Sequence, residues 1–472
     1  MIQLGSWRRV LARLLDLLIL IYGVTLLFVL VTGGLAIGPI SAYRMAKPLL
    51  VLLLLVPARL ALSEGSWFGR GVGIARRHLS STFAALGARG DAMKGLGDVV
   101  FALLVTRLPA FAVAFVANML IPPKGLGSDR LPFLHGKLAD IFVAWDSGWY
   151  FDIARHGYDF NPERESNVAF FPLYPLLMRA IAWPFGGSDR AIWVAGIVVS
   201  VMAFAAALLV LHRVTERLLG SREVARRTVL LISVFPFSFF FTVVYTEALF
   251  LLLTLLAVAA AYDSRWWRAG AWGGLAALTR PNGILILVPL AGLALASPGD
   301  LHARVRRLLP LGLIPAALAA FGAFLYHLSG DPLAWLHAQN AWGNSLGHRP
   351  WNQLLRLLSA LEQYGLYDYF FTSSRASFDL IHGLVGLVFL MLTPFVFARL
   401  GGPLGAYVLI SLLVPLSSQS LEGIGRYAAV LFPAFMYLGS IKSSRAYEAL
   451  LIVSALFFAL FLSLFVLHHQ IY

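Results

Sequence analysis

The sequence contains no cysteine. Disulfides, thiolate nucleophiles and cysteine-ligated metals are therefore excluded. Charge is also scarce. Asp, Glu, Lys and Arg make up 13% of the chain, against roughly 25% in an ordinary soluble domain. Acids are the scarcer sign, 23 against 37 Lys plus Arg. What fills the space is apolar: 59% of the 472 residues are hydrophobic and the mean hydropathy is +0.79. Apolar runs recur from end to end. Backbone polar groups in lipid must be paired within each spanning segment, so runs of this kind point to helices. The sequence predicts an all-α polytopic membrane protein, a single transmembrane domain over 1–472.

The net charge of +14 would suggest nucleic acid in a soluble protein. Here basic residues flank apolar runs, as they do on the cytoplasmic side of membrane helices, and no nucleic-acid partner is expected. Arg8, Arg9 and Arg13 precede a run that continues through Val31, which reads as a first transmembrane helix rather than a cleaved signal. About thirteen spans are expected, near 10–32, 48–62, 97–121, 190–211, 228–245, 248–262, 268–280, 283–297, 308–328, 379–398, 402–417, 425–440 and 447–467. Several are shorter than the ~20 residues of an upright span. The pair 268–280 and 283–297, broken at Pro281-Asn282-Gly283, reads as a short hairpin.

With the N-terminus cytoplasmic, the basic clusters fall inside: Arg70 to Lys94, Arg213 to Arg227, Arg265 with Arg268, Arg304 to Arg307, Arg399, and Lys442 with Arg445. Arg44 and Lys47 are exceptions. The acid-bearing loops 122–189, 329–378 and 418–424 fall outside. The inside loops carry no Gly-rich phosphate cradle and no clustered acids. Chemistry is therefore expected on the outer side, where no nucleotide pool supplies an activated sugar.

The densest chemistry lies in the first outer loop. Asp146, Trp149, Tyr150 and Ile153 fall on one face of a helix. Gly157 is placed to end that helix. Asp152 and His156 are spaced to pair on another face. A carboxyl on an aromatic face at the membrane boundary is suited to general-base work. The competing reading is an amphipathic helix lying in the interface, with Trp and Tyr as belt anchors.

The pattern Trp145-Asp146-x-x-Trp149-Tyr150-x-x-Ile153-Ala154-x-x-Gly157-Tyr158, followed by Ala169 through Leu177, resembles the family of the second GPI mannosyltransferase (PIG-V-like) and its bacterial relatives. These belong to the glycosyltransferase C superfamily of multi-spanning enzymes. The resemblance is dense over about 30 residues. It implies a glycosyltransferase C-like helix bundle with helical outer-face loops. It also implies transfer of a hexose, mannose first, from a polyprenyl-phosphate sugar to a glycan, glycolipid or protein acceptor. No His/Asp/Glu cluster has metal-ligand spacing, so no metal or other cofactor is expected to be required. The acid of the first outer loop is then the base, and it maps to Asp146.

An inverting displacement also needs donors for the leaving phosphate. Arg426, Arg349 and His348 are the outer-side candidates, with snorkelling of Arg toward headgroups as the ordinary alternative. The pocket is expected to draw on Trp145, Trp149, Tyr150, Asp152, His156, Tyr174, Glu247, Arg280 and Asn282. Glu247 reads equally as the first-turn acid of a helix capped by Thr246. Arg280 lines the cavity or bridges to a carbonyl or carboxylate. Asp152 reads as support for the loop, and His468 and His469 as tail. A lipid-linked sugar transporter or flippase is the leading alternative, although the inverted repeats of such proteins are not evident.

Overall fold

The computed structural model describes residues 95–121, 140–161, 165–342, 374–418 and 420–469. It also describes shorter stretches at 10–11, 13–23, 35–37, 40–42, 51, 55, 349–352, 355, 358–359 and 362. The chain divides into two units, Met1–Gly97 and Asp98–Tyr472. In the first, residues 13–23 are helical. Strand β1 (Leu35–Ile37) pairs antiparallel with β2 (Ile40–Ala42), Ala36 facing Ser41. This small hairpin qualifies the all-α expectation. Residues 24–32 of the first expected span, and all but two residues of 48–62, lie outside the described residues.

The second unit is built from helices joined by short turns and loops in its described residues. Helix α1 (Leu96–Leu120) is followed, in the first expected outer loop, by α2 (Ser147–His156) and α3 (Leu173–Ala182). Next comes α4 (Asp189–Leu219), whose Ser188 hydroxyl accepts the Ala191 N–H and whose Gly220 closes the end at φ 67°. At 1.5 Å per residue its 31 residues reach about 46 Å, well beyond a hydrocarbon core of about 30 Å. It therefore carries groups from one membrane face to the other.

The expected span 228–245 is not one helix. Helix α5 (Arg222–Val234) stops at Phe235, which Pro236 forces into an extended conformation (φ −52°, ψ 137°). A 3-10 turn at Ser238–Phe241 follows, and α6 (Glu247–Tyr262) begins after it. The carbonyls left unpaired by the break are met by Arg107 of α1. Its Nη1 donates to Ser233 O at 2.6 Å and its Nη2 to Ser238 O at 3.1 Å. The buried guanidinium is flanked by the rings of Phe204 and Phe458. Backbone breaks are tolerated in lipid only when such partners are supplied.

Helix α7 (Trp266–Ala277) ends before Arg280-Pro281. A 3-10 stretch at Pro281–Ile286 and α8 (Leu287–Ala296) follow, so the expected hairpin is a broken segment. Helices α9 (Leu301–Leu308) and α10 (Leu313–Ser329) form one rod, basic at its start and apolar beyond. Beyond the second large loop lie α11 (Ser374–Leu400) and α12 (Gly402–Leu416). The expected span 425–440 is two short helices, α13 (Ile424–Ala429) and α14 (Phe432–Gly439). Helix α15 (Ser444–Val466) completes the unit.

Among the described residues, five segments are long and apolar enough to cross a membrane: Leu96–Leu120, Asp189–Leu219, Leu301–Ser329, Asp379–Leu400 and Ser444–Val466. Glu247–Tyr262, Pro281–Ala296 and Gly402–Leu416 are shorter and apolar. The protein is an integral, multi-helical membrane protein, with fewer uninterrupted spans in the described residues than hydropathy predicts.

Helices α4 and α6 run parallel. Near their starts Ser200 Oγ donates to Tyr245 O at 3.3 Å, and near their ends Arg217 reaches Asp263. Helix α15 runs the other way. Tyr447 at its start lies under Arg227, 4.8 Å from ring centre to guanidinium, and His468 beyond its end lies 5.8 Å from the Trp145 ring. The bundle thus has a Trp145 end and an Arg227 end. Arg217, Arg222, Arg226 and Arg227 gather at the latter.

Candidate active site

The loop entering α2 is docked onto the segment between α5 and α6 by the Val244 N–H, which donates to Phe142 O at 3.0 Å. The chain then turns sharply. Trp145 has φ +56°, left-handed for a bulky L residue, and Asp146 is right-handed helical (φ −58°, ψ −15°). Asp146 occupies the N-cap position of α2 yet makes no capping bond. An Asp there ordinarily accepts an N–H of the first turn, a contact worth about 1 kcal/mol. Here the carboxylate is directed elsewhere.

Its Oδ2 accepts from Arg426 Nη1 at 2.7 Å. Arg426 Nε donates to Glu247 Oε1 at 2.7 Å. Arg280 Nη1 lies 2.5 Å from the same Oε1, an ion-pair contact. Asp146, Arg426, Glu247 and Arg280 therefore form a chain of alternating sign, drawn from a loop, α13, the first residue of α6 and the break before Pro281. Exposure grades along it. Glu247 is 0% exposed and Arg280 8%, while Arg426 is 12% and Asp146 24%. The carboxylate reachable from outside is that of Asp146. Buried charges this close stand only because each has an opposite partner, and loss of one costs about 3–5 kcal/mol.

Aromatic rings wall the chain. The Arg426 guanidinium lies 4.7 Å from the Tyr245 ring centre and 4.9 Å from that of Phe240. Arg280 lies 5.2 Å from the Tyr427 ring. Gly425 makes room for this arrangement, because a Cβ there would sit 2.5 Å from the Phe237 ring. On the other side of Asp146, Trp149 stacks on Phe170 at 5.8 Å, and Tyr150 packs edge-on to Phe170 and Tyr174. Burial, and then the Glu247 carboxylate, push the Tyr150 phenol up, so it stays protonated at neutral pH. Tyr174 is tied to α4, its hydroxyl donating to Gly196 O at 2.9 Å and meeting Ser200 Oγ at 2.8 Å.

Most of the expected pocket residues converge here: Trp145, Trp149, Tyr150, Tyr174, Glu247 and Arg280 around Asp146 and Arg426. Asn282 is buried two residues beyond Arg280, and its Oδ1 has no donor among the described residues. Asp152 and His156 pair at 2.9 Å as the spacing predicts, and Asn167 Nδ2 donates to the other Asp152 oxygen at 2.9 Å. That exposed pair braces the loop and does not join the charge chain. Gly157 ends α2 at φ 90°. Thr246 does not cap α6 through its side chain, and its hydroxyl lies 3.5 Å from that of Tyr150 instead. Arg349 is exposed and no ion pair joins it to Asp146, Glu247 or their arginines among the described residues. His348 lies outside the described residues. Tyr245, Phe240 and Tyr427 were not anticipated. The available signal was Tyr245-Thr246-Glu247, in which the acid and its capping neighbour carry the recognisable pattern and the tyrosine does not. Among the described residues no group of three or more His, Asp or Glu side chains is placed to hold a metal.

Residues 117–293 match the family model described as Mannosyltransferase (PIG-V). The chain is similar to GPI mannosyltransferase 2 of Drosophila pseudoobscura pseudoobscura, 30% identical over 248 residues, covering 46% of this chain and 53% of that protein. It is also similar to GPI alpha-1,6-mannosyltransferase 2 of Mus musculus, 30% identical over 177 residues, 36% of this chain and 35% of the relative. The match thus spans about half of the first relative and about a third of the second. Among solved structures, ArnT from Cupriavidus metallidurans bound to undecaprenyl phosphate aligns with 74% of this chain and 62% of its own at 14% identity and a TM-score of 0.43. The oligosaccharyltransferase AglB from Archaeoglobus fulgidus, in complex with an inhibitory peptide and a dolichol-phosphate, aligns with 79% of this chain and 56% of its own at 13% identity and 0.39. The segment that holds Asp146, Tyr245, Glu247 and Arg280 is thus the part of this chain, residues 117–293, that is similar to the PIG-V mannosyltransferase model.

Proposed function

We propose that this protein is a membrane glycosyltransferase that moves a mannosyl residue from a polyprenyl-phosphate carrier to an acceptor hydroxyl on the outer side, with inversion at the anomeric carbon. The observation that carries this reading is the 2.7 Å contact between Asp146 and Arg426. In a direct displacement the attacking and leaving oxygens are partly bonded to one carbon. The base and the phosphate-binding cation must then lie within one sugar's breadth of each other.

Asp146 takes the proton of the acceptor hydroxyl as its oxygen bonds to the anomeric carbon. The bond from that carbon to the phosphate oxygen breaks, leaving its electron pair on the polyprenyl phosphate. General-base help of this kind contributes about 10²–10⁴ in rate. The transition state is oxocarbenium-like, by analogy with glycoside hydrolysis. Arg426 meets the growing phosphate charge, exchanging its Asp146 contact for the leaving group and so freeing the base. Glu247 holds Arg426 and Arg280 in register from below. Glu247 Oε2 and Asn282 Oδ1, buried acceptors without a donor among the described residues, suit hydroxyls of the sugar.

The outer location is supported by the charge distribution. The arginines of the opposite end are those the positive-inside rule assigns to the cytoplasm. A cysteine at exposed Glu165 is expected to label from the outer side only; Ser147 is too buried to serve. The decisive assay incubates purified protein with polyprenyl-phosphate mannose and follows release of polyprenyl phosphate. Asp146→Asn is expected to abolish release while the protein stays folded. Retained turnover in that variant would remove Asp146 from the role of base.

A further inference from the structure

We infer that Tyr245 is the positioning residue for Asp146, acting through the backbone on either side of Trp145. The inference rests on the reading of Asp146 as the base. The Tyr245 hydroxyl donates to Ala144 O at 3.3 Å and accepts the Asp146 N–H at 3.1 Å. One buried oxygen thus bridges the two peptide groups that flank Trp145. Trp145 is the residue held at φ +56°. A left-handed conformation costs an L residue about 1–2 kcal/mol, and a bulky one enters it only where the surroundings impose it. The hydroxyl of Tyr245 supplies that imposition.

The consequence falls on Asp146. An N-cap residue normally has an extended backbone, which turns its side chain onto the first-turn N–H groups. With Trp145 left-handed, Asp146 is helical and its carboxylate leaves the cap for Arg426. The same Tyr245 presents its ring face to the Arg426 guanidinium at 4.7 Å. A single side chain therefore fixes the backbone of the base and the plane of the cation. Ser147 adds a second, weaker anchor, its Oγ accepting the Ala144 N–H at 3.3 Å. Phe240, beside the same guanidinium, provides a ring without a hydroxyl, so packing alone does not call for a tyrosine at 245.

Tyr245→Phe separates the two functions, because it keeps the ring and deletes the bridge. In the full-length protein, with polyprenyl-phosphate mannose as donor, kcat is expected to fall about 10–100-fold while the donor KM stays within about twofold. The diagnostic partner is Trp145→Asn, since Asn enters the left-handed region readily. In that background the penalty of Tyr245→Phe is expected to shrink about 5–30-fold, the fold-change corresponding to 1–2 kcal/mol of relieved strain. A role in packing alone predicts the same penalty in both backgrounds, and that result overturns the inference. So does a rise in KM with kcat unchanged. Should Tyr245→Phe fail to fold, Ser147→Ala weakens the same turn and is expected to lower kcat severalfold, again less in the Trp145→Asn background; an unchanged kcat there overturns the inference. An inactive Asp146→Asn beside a fully active Tyr245→Phe defeats this inference alone. An active Asp146→Asn defeats the base assignment beneath it.

Discussion

The two ends of the helical bundle both hold arginines facing carboxylates, and they differ in what surrounds the pairs. At the Trp145 end the charges alternate in one buried chain, Asp146, Arg426, Glu247 and Arg280, walled by Tyr245, Phe240 and Tyr427. At the Arg227 end the pairs are separate and wetter. Arg217 meets Asp263, Arg222 meets Asp98 beside buried His212, and Glu223 meets both Arg226 and Arg227. Exposed pairs are worth about 0–1 kcal/mol each. Buried ones are individually expensive to break. The lesson is a division of labour. The exposed arginines are cheap to keep. The buried ones persist only as a set, because each depends on its opposite partner.

Activity offers the largest test of that contrast. Asp146→Asn is expected to lower turnover at least 10²-fold, within the range for a general base, read by polyprenyl phosphate release. Arg426→Lys keeps the charge but loses the fork that spans Asp146 and Glu247, and kcat is expected to fall about 10²–10³-fold. Stability comes next. Glu247→Gln leaves Arg280 and Arg426 facing each other without a carboxylate between them, and a loss of about 3–5 kcal/mol is expected in denaturant or thermal unfolding. At the opposite end, Arg222→Ala is expected to cost less than about 1 kcal/mol and to leave turnover within twofold. Equal losses from Glu247→Gln and Arg222→Ala would erase the comparison.

The smallest expected effect is a pH dependence. The hydrogen bond from Arg226 is the largest cause that holds the Glu223 carboxyl below its ordinary value of 4.5; burial opposes it, and the hydrogen bond from Arg227 adds to it. A depressed folded pKa means that the pair's contribution is complete above the unfolded value and is lost as pH falls through the folded one. Glu223→Gln should therefore melt slightly below the parent at pH 7, with the gap closing as the pH falls below the ordinary value of 4.5 and through the lowered folded one. Glu223 is half exposed, so the gap is small.

The parts of the site differ in how far the sequence revealed them. Asp146 was visible because helical spacing set it on an aromatic face and it falls within the stretch that resembles the family. Glu247, Arg280 and Arg426 were visible singly, as charges too close to lipid to be idle. Their union was not visible, because it is made by tertiary packing of segments separated by 280 positions between Asp146 and Arg426. Tyr245 escaped because a buried hydroxyl acts through hydrogen bonds that composition and periodicity do not encode. The fold shows the same limit. Hydropathy found the apolar content of 228–245 and 425–440 but could not see that each is broken. For the first, the Phe235-Pro236 pair was a legible stop signal. Thr246 illustrates the reverse error, a capping residue by type that does not cap.

Arg107 has a consequence for how the protein is made. Its partners, Ser233 and Ser238, lie more than a hundred residues downstream, so they are still untranslated when Leu96–Leu120 leaves the ribosome. Until they arrive the guanidinium has no carbonyls to satisfy it, and an arginine near the middle of a span raises its insertion free energy by about 2.5–3.5 kcal/mol. The apolar residues of Leu96–Leu120 carry that cost alone until the break at Pro236 has been made.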